Sequence, residues 1–273
     1  MSAPRRPLIM GVVNVTPDSF SDGGSFLDPA HAIEHGLKLV EEGAAILDVG
    51  GESTRPGSDP VAEETELARV LPVIRGLATQ TATAISIDTR KPTVARAAVE
   101  AGASIWNDVS ALSFCDDSIS TAADLDCRIV LMHAQGDPKT MQNAPRYDDV
   151  VEEIIANLSR RIALCEAAGV ARSRLIADPG VGFGKTLDHN LSILAYLDRF
   201  AVLGVPILLG ASRKRFIADL DRQRPAASRL GGSIAAALVG ACRGAAIVRV
   251  HDVAATRQAL SVASAIDSAR SPR

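Results

Sequence analysis

Two carboxylates, an amide and an ammonium define the first chemistry this chain offers. Asp88, Asn107, Asp178 and Lys214 each follow, directly or closely, a short apolar run. A carboxylate pairs with a ring N–H beside an exocyclic NH2, while amide and ammonium groups serve ring nitrogens and a ring carbonyl. A flat heterocycle with a guanine-like or pterin-like edge therefore matches the set. Two carboxylates also suit glycosidic acid/base chemistry, a choice their separation would decide. A second set, Asn14, Arg55, Arg249 and His251, offers cationic donors and a neutral oxygen ligand. It suits a phosphate or diphosphate with Mg2+, although surface ion pairs use the same residue types.

The stretch LIADPGVGFGKT, Leu175 to Thr186, looks at first like a phosphate loop. The Walker pattern needs four residues between its first glycine and the Gly-Lys-Ser/Thr end. Between Gly180 and Gly184 stand only Val181, Gly182 and Phe183, and Pro179 occupies the place of the required glycine. The glycines also fail the dinucleotide fingerprint, which needs G-x-G-x-x-G with an acidic residue about 20 positions on. What remains is a carboxylate, Asp178, at the end of an apolar run, followed by a flexible loop.

Positioning these groups falls to a repeated unit: an apolar run, a polar cluster, then a helical segment. The runs Leu8–Val15, Ala45–Val49, Ala84–Ile87, Ser104–Trp106, Arg128–Met132, Leu175–Ala177, Pro206–Leu209 and Ile247–Val250 lack polar alternation and read as strands buried on both faces. Helical periodicity fills the intervals, and segments close on Gly43, Gly102, Gly169 and Gly244. Eight strand–helix units without a composition break predict an α/β fold, a (β/α)8 barrel with parallel strands and right-handed crossovers. One domain spans residues 1–273, its core about 7–268 between short flexible termini. In such a barrel the site lies where the loops leave the C-terminal ends of the strands. There the chain places Asn14, Asp88-Thr89-Arg90, Asn107-Asp108, His133, Asp178, Ser212-Arg213-Lys214 and Arg249 to Asp252. Asp, Asn, Ser and Thr at these points also serve as helix N-caps; lysine and arginine do not. Pro17, Gly23, Gly24, Pro56 and Gly57, with Phe20 and Phe26, suggest flaps over the site.

Bulk composition excludes several classes. In 273 residues, 47% are hydrophobic and 22% charged, and the net charge is −3, so there is no basic field for nucleic acid and no polybasic membrane patch. No run reaches the roughly 18 apolar residues of a membrane span, and the N-terminal apolar run is too short for a signal-peptide core. A cytoplasmic protein with small-molecule partners is expected. Cys115, Cys127, Cys165 and Cys242 lack C-x-x-C spacing and read as reduced thiols.

The runs MGVVNVTPDSFSDGG, LDVGGESTRPG, ISIDTRKP, WNDVSAL, LMHAQGDPKTMQ, ADPGVGFGKT, GASRKRF and IVRVHD resemble, in order and from Leu8 past His251, the signature blocks of the dihydropteroate synthase family, the folate-pathway enzymes inhibited by sulfonamides. The resemblance implies transfer of the dihydropterin-methyl group from its diphosphate to the amine of p-aminobenzoate, with Mg2+ and a homodimer. By motif, Asp88, Asn107, Asp178 and Lys214 resemble the pterin anchors, with Phe183 and Met132 near the ring. Asn14, Arg249 and His251 resemble the diphosphate contacts, Asn14 also the metal ligand. Phe20, Asp22, Thr54, Arg55 and Pro56 resemble the flap residues of the p-aminobenzoate pocket, and Lys214, Arg249, His251 and Asp22 the catalytic set. Arg215 stands where many members carry Ser to bond the p-aminobenzoate carboxylate; its backbone N–H remains as a donor. Intact GFGKT and STRPG blocks resemble sulfonamide-sensitive enzymes.

Other residues read as structural. His31 and His35 have zinc-pair spacing but not the H-E-x-x-H order, and are expected on a solvated helix face. Trp106 is expected in the barrel wall and Asp108 as the cap of the following helix. His133 either shapes the pterin pocket or satisfies a backbone carbonyl, and Lys185 has no assigned role. Two rivals share the pterin set: a pterin-dependent methyltransferase and a catalytically silent pterin-binding paralogue. Arg249, His251 and STRPG count against the first, intact flap blocks against the second.

Overall fold

The computed structural model describes residues 6–16, 28–53, 58–136, 141, 144–223 and 225–269. Eight strands run in the order β1 (Leu8–Asn14), β2 (Ile46–Gly50), β3 (Ala84–Asp88), β4 (Ile105–Asp108), β5 (Arg128–Met132), β6 (Leu175–Asp178), β7 (Leu208–Leu209) and β8 (Ile247–Val250). Every pair is parallel, in the spatial order β6-β5-β4-β3-β2-β1-β8-β7. The open edges meet through the Ala177–Ile207 bridge, where Ala177 N–H donates to the Pro206 carbonyl at 2.9 Å. The predicted (β/α)8 barrel is the fold.

Helices α1 (Pro29–Glu42), α2 (Glu63–Gln80), α3 (Pro92–Glu100), α4 (Ser118–Asp124), α5 (Val150–Ala167), α6 (Leu187–Ala195), α7 (Arg215–Leu220), α8 (Leu230–Cys242) and α9 (Val253–Ala269) follow the strands. Local chemistry sets their ends. Asp28 accepts from the Ala30 N–H, Pro29 opens α1, and Gly43 closes it at φ 106°. Asp149 caps α5 through the Val151 and Glu152 N–H groups, and Thr186 with His189 forms a capping box on α6.

Two core shells result. Between strands and helices lies a large cluster that includes Leu47, Leu77, Ile87, Trp106, Ile129 and Phe200. Inside the barrel a smaller one, Met10, Ile46, Ile105, Val130, Ile176, Leu208 and Ile247, forms a floor. Each such side chain contributes about 1.5–3 kcal/mol when fully buried.

Three differences from the predicted elements bear on the site. β3, β4 and β6 run one or two residues past the apolar runs, so that Asp88, Asn107, Asp108 and Asp178 are held in ladder register (Asp88 opposite Asn107, Met132 opposite Asp178). The helical periodicity of the interval after the sixth run, which spans Leu187 to Phe200, breaks at Tyr196 into α6 and a 3-10 segment, Leu197–Leu203. Helix α7 was not anticipated; it places Lys214 at its N-cap.

Candidate active site

Alternation along the strands builds the site. Side chains on one face of a strand recur every second residue, so the residue two beyond each floor position also faces the barrel interior. From Ile46, Ala84, Ile105, Val130, Ile176, Leu208 and Ile247 that step reaches Asp48, Ser86, Asn107, Met132, Asp178, Gly210 and Arg249. A second ring, largely polar, thus sits directly on the apolar floor, and a further step reaches Asn14, Asp88 and His251 at the rim.

Arg249 is the hub of this ring. Its Nε donates to Asp48 Oδ2 at 2.5 Å and its Nη2 to Asp88 Oδ2 at 2.7 Å. Asp48 Oδ2 also accepts from Asn107 Nδ2 at 3.1 Å. With its amide NH2 directed to Asp48, Asn107 keeps its carbonyl oxygen for the pocket. Asp48 Oδ1, Ser86 Oγ and Asp88 Oδ1 are buried without a hydrogen-bond partner among the described residues, two carboxylate acceptors and a hydroxyl that can give or accept.

Burial governs the ionisation. It lifts the Asp88 carboxyl to about 7, against the pull of Arg249, and Asp48 and Glu66 push the same way as burial. Asp178 rises to about 6 for the same reason, opposed by the Gly180 N–H, Lys214, Lys185 and Arg249. Burial works against the Arg249 charge, but Asp48 and Asp88 outweigh it and hold the guanidinium protonated.

Two loops complete the pocket. After β6, Asp178 Oδ1 accepts from the Gly180 N–H at 2.7 Å, which folds the chain into a turn with Gly180 at φ 68°. A Cβ there would lie 1.9 Å from the His133 carbonyl oxygen, so only glycine fits. After β7, Arg213 adopts φ 59° and turns its guanidinium outward to Asp252, with contacts of 3.0 and 2.6 Å. The turn sends Lys214 inward, its Nζ 3.9 Å from the centre of the Phe183 ring. Ser212 Oγ lies 3.1 Å from His251 Nδ1 and accepts from the His251 N–H, fixing that residue beside the rim.

Asp88, Asn107, Met132, Asp178, Phe183, Lys214 and Arg249 therefore line one pocket. A separate hollow at the opposite barrel end, beside Asp198 and Arg243, lacks this convergence of carboxylates and cations. Arg249, expected at a diphosphate, lines the same pocket as the expected pterin anchors. It lies among the pterin anchors because Asp48 and Asp88 draw it inward, while His251 and Asn14 stand above it. The side chain of Arg215 is 81% exposed and faces Asp219 at 3.6 Å along α7, so only its backbone N–H is directed by the helix start. Phe20, Asp22, Thr54, Arg55 and Pro56 lie outside the described residues.

Asp108 does not cap α4; it accepts from the Ser110 and Leu112 N–H groups and supports a turn in which Ala111 and Leu112 take φ 51° and 61°. Trp106 is buried in the wall, its Nε1–H donating to the Thr89 carbonyl at 2.7 Å. His31 and His35 are exposed, and no group of three or more metal-binding side chains occurs among the described residues. Arg90 and Lys91 both pair with Glu52, and Lys91 also with buried Glu66, so these cations belong to the β2 loop. The residue that sequence reasoning missed is Asp48. Its signal was a carboxylate two positions after Ile46 in an otherwise apolar strand.

A family model described as "Pterin binding enzyme" matches residues 10–251. The dihydropteroate synthase of Escherichia coli strain K12 is 47% identical over 264 residues, 97% of this chain and 93% of that protein. A solved Xanthomonas albilineans dihydropteroate synthase with 4-aminobenzoic acid superposes with TM-score 0.92 at 51% identity, over 98% of this chain and 95% of that one. A Yersinia pestis dihydropteroate synthase in complex with a sulfonamide drug gives TM-score 0.91 at 42% identity, over 96% and 95%. Similarity of this extent, on a barrel whose interior carries a pterin-apt ring of acceptors, places the chain in the pterin-binding enzyme family, among the dihydropteroate synthases.

Proposed function

We propose that this chain transfers the 7,8-dihydropterin-6-ylmethyl group from its diphosphate to the amine of p-aminobenzoate, giving 7,8-dihydropteroate and diphosphate. The observation that carries the reading is the interior pocket: Asp88, Asn107 and Asp178 as acceptors, with Arg249 and Lys214 as cations. A dihydropterin presents ring N–H and exocyclic NH2 donors to the acceptors and its carbonyl to a cation. Phe183 supplies a flat wall for the ring.

In the reaction the carbon–oxygen bond to diphosphate breaks and a carbon–nitrogen bond to the arylamine forms, the amine losing its proton. The electron-rich ring stabilises the methylene cation, and ionised Asp88 and Asp178 favour that charge. Arg249, His251 and Lys214 neutralise the departing diphosphate. Asn14, at the end of β1, offers one neutral oxygen. Mg2+ keeps several waters and binds chiefly through substrate phosphates, so a single amide oxygen with no described carboxylate cage suits an ion carried by the diphosphate. When bound, that ion adds Lewis-acid neutralisation of the leaving group. The flap residues Phe20, Asp22, Thr54, Arg55 and Pro56, on the strength of resemblance, enclose p-aminobenzoate and exclude water. The nucleophile needs no strong general base.

Diphosphate release from the three components, protein, dihydropterin-methyl diphosphate and p-aminobenzoate, with Mg2+ present, tests the reading, and a sulfonamide should compete with p-aminobenzoate. Tight pterin binding without release would favour the silent paralogue. A homodimer is part of the proposal: neighbouring α6, α7 and α8 expose Leu191, Leu220, Leu230 and Val239. We assign the protein to the cytoplasm; the four cysteines are free, and no helix among the described residues is long and apolar enough to cross a membrane.

A further inference from the structure

Lys185 gave LIADPGVGFGKT its likeness to a phosphate loop, yet it is only 3% exposed. Its Nζ donates to the Phe183 carbonyl at 2.9 Å and the His133 carbonyl at 3.3 Å, and lies 3.1 Å from His133 Nδ1. An ammonium has three protons and no acceptor, and here three acceptors meet it; burial lowers the Lys185 pKa to about 7 against the pull of Asp178, and the amine left on deprotonation still donates to the same carbonyls. Such a contact requires His133 to be neutral with its proton on Nε2, and burial together with Lys185 presses the His133 pKa down to about 3.

These contacts join the end of β5 to the loop after β6. The His133 N–H also donates to the Asp178 carbonyl at 2.9 Å, and the Gly180 turn packs on the His133 carbonyl. The loop is held on its outer side by Tyr147 Oη, which donates to the Gly184 carbonyl at 3.0 Å, and by Asn190 Oδ1, which accepts from the Gly182 N–H at 2.7 Å. Within this frame Phe183 has its carbonyl on Lys185 and its ring against the Lys214 ammonium. Backbone position and ring position are thereby linked through one residue.

We propose that Lys185 is a positioning residue for the pterin: its amino group, as hydrogen-bond donor, pins the Phe183 backbone to His133, so that the Phe183 ring and the Lys214 ammonium face the bicyclic substrate in fixed register. The inference rests on the reading of the pocket as the pterin site. It gives the GKT lysine a role without any contact to phosphate.

The test combines K185M, which keeps length but removes the donors, with K185R. Affinity for 6-hydroxymethyl-7,8-dihydropterin is measured by equilibrium titration, KM for each substrate at steady state, and folding by thermal melting. K185M should weaken pterin binding by about tenfold or more, the scale of a lost desolvated cation–ring contact, with the KM for p-aminobenzoate changed less than about twofold. K185R should recover most of the affinity. In an F183L background K185M should add less than about twofold, because the effect runs through Phe183. Equal losses for both substrates, full additivity with F183L, or unchanged pterin affinity would each overturn the proposal. If K185M does not fold, K185Q, which keeps an amide donor without the charge, carries the same comparison. Pterin affinity is read without turnover, so a wild type that binds pterin but forms no product counts against the synthase reading alone.

Discussion

Asp48→Ala removes one acceptor that two donors share in the barrel interior. Asp48 is fully buried, and its Oδ2 takes the Arg249 Nε–H at 2.5 Å and the Asn107 Nδ2–H at 3.1 Å. Breaking a buried ion pair from one side costs about 3–5 kcal/mol, and because Arg249 keeps Asp88 the loss belongs near the lower figure, about 3 kcal/mol. Leaving the Asn107 amide N–H without its acceptor adds about 1 kcal/mol. The total, about 4 kcal/mol, should lower the melting temperature by roughly 8–12 °C for a chain of this size. Circular-dichroism melts at pH 8, with pterin titration on the folded protein, would read both effects. Asn107 then loses the constraint that leaves its carbonyl facing the pocket, so pterin affinity should fall while p-aminobenzoate recognition holds. D48N, which retains shape and one acceptor, should lose about half as much stability. A D48A protein that melts within about 2 °C of wild type, on the same scale, or that binds pterin unchanged, would refute the argument.

Pterin affinity should decline as the pH falls through about 7 and then 6, because burial raises Asp88 to about 7 and Asp178 to about 6 and protonation removes an acceptor site from each; a flat profile between about pH 5.5 and 8.5 would contradict this. In D48N the decline should begin at lower pH, since the Asp48 charge is one of the influences raising Asp88. Gly180→Ala drives a Cβ to 1.9 Å from a backbone oxygen and should weaken pterin binding by about tenfold or more, while Gly169→Ala, at φ 95° with open space, should cost only about 1–2 kcal/mol of stability. Chelation should suppress diphosphate release and added Mg2+ restore it, with binding of diphosphate-free pterin unaffected; loss of that binding on chelation would assign the ion to the pterin pocket instead.

The barrel was legible because parallel strands buried on both faces read as unbroken Ile, Val and Leu runs, and the crossovers between them are amphipathic. The strand ends told where Asp88, Asn107, Asp178 and Lys214 would meet. Asp48 escaped because a lone carboxylate inside an apolar run gives no hint of its partner 201 residues away. Counting in twos from Ile46 and Ile247 puts Asp48 and Arg249 on the same interior face. Helix α7 is only six residues long and starts at charged Lys214-Arg215, too short for periodicity to register.

The apolar floor under the ring has a consequence for how such a barrel can change. Its stability resides mainly in the outer shell between strands and helices and in the single layer of Met10, Ile46, Ile105, Val130, Ile176, Leu208 and Ile247. Recognition occupies the next layer, one side chain per strand, each on an independent backbone position. Val12, two residues beyond Met10, belongs to that layer too, and with Ser86 and Gly210 it carries neither a charge nor an amide. Substitution at these three positions, away from the Asp48–Arg249 ion pair, can alter which heterocycle edge is accepted while the layer below still closes the barrel, so ligand preference there drifts apart from folding.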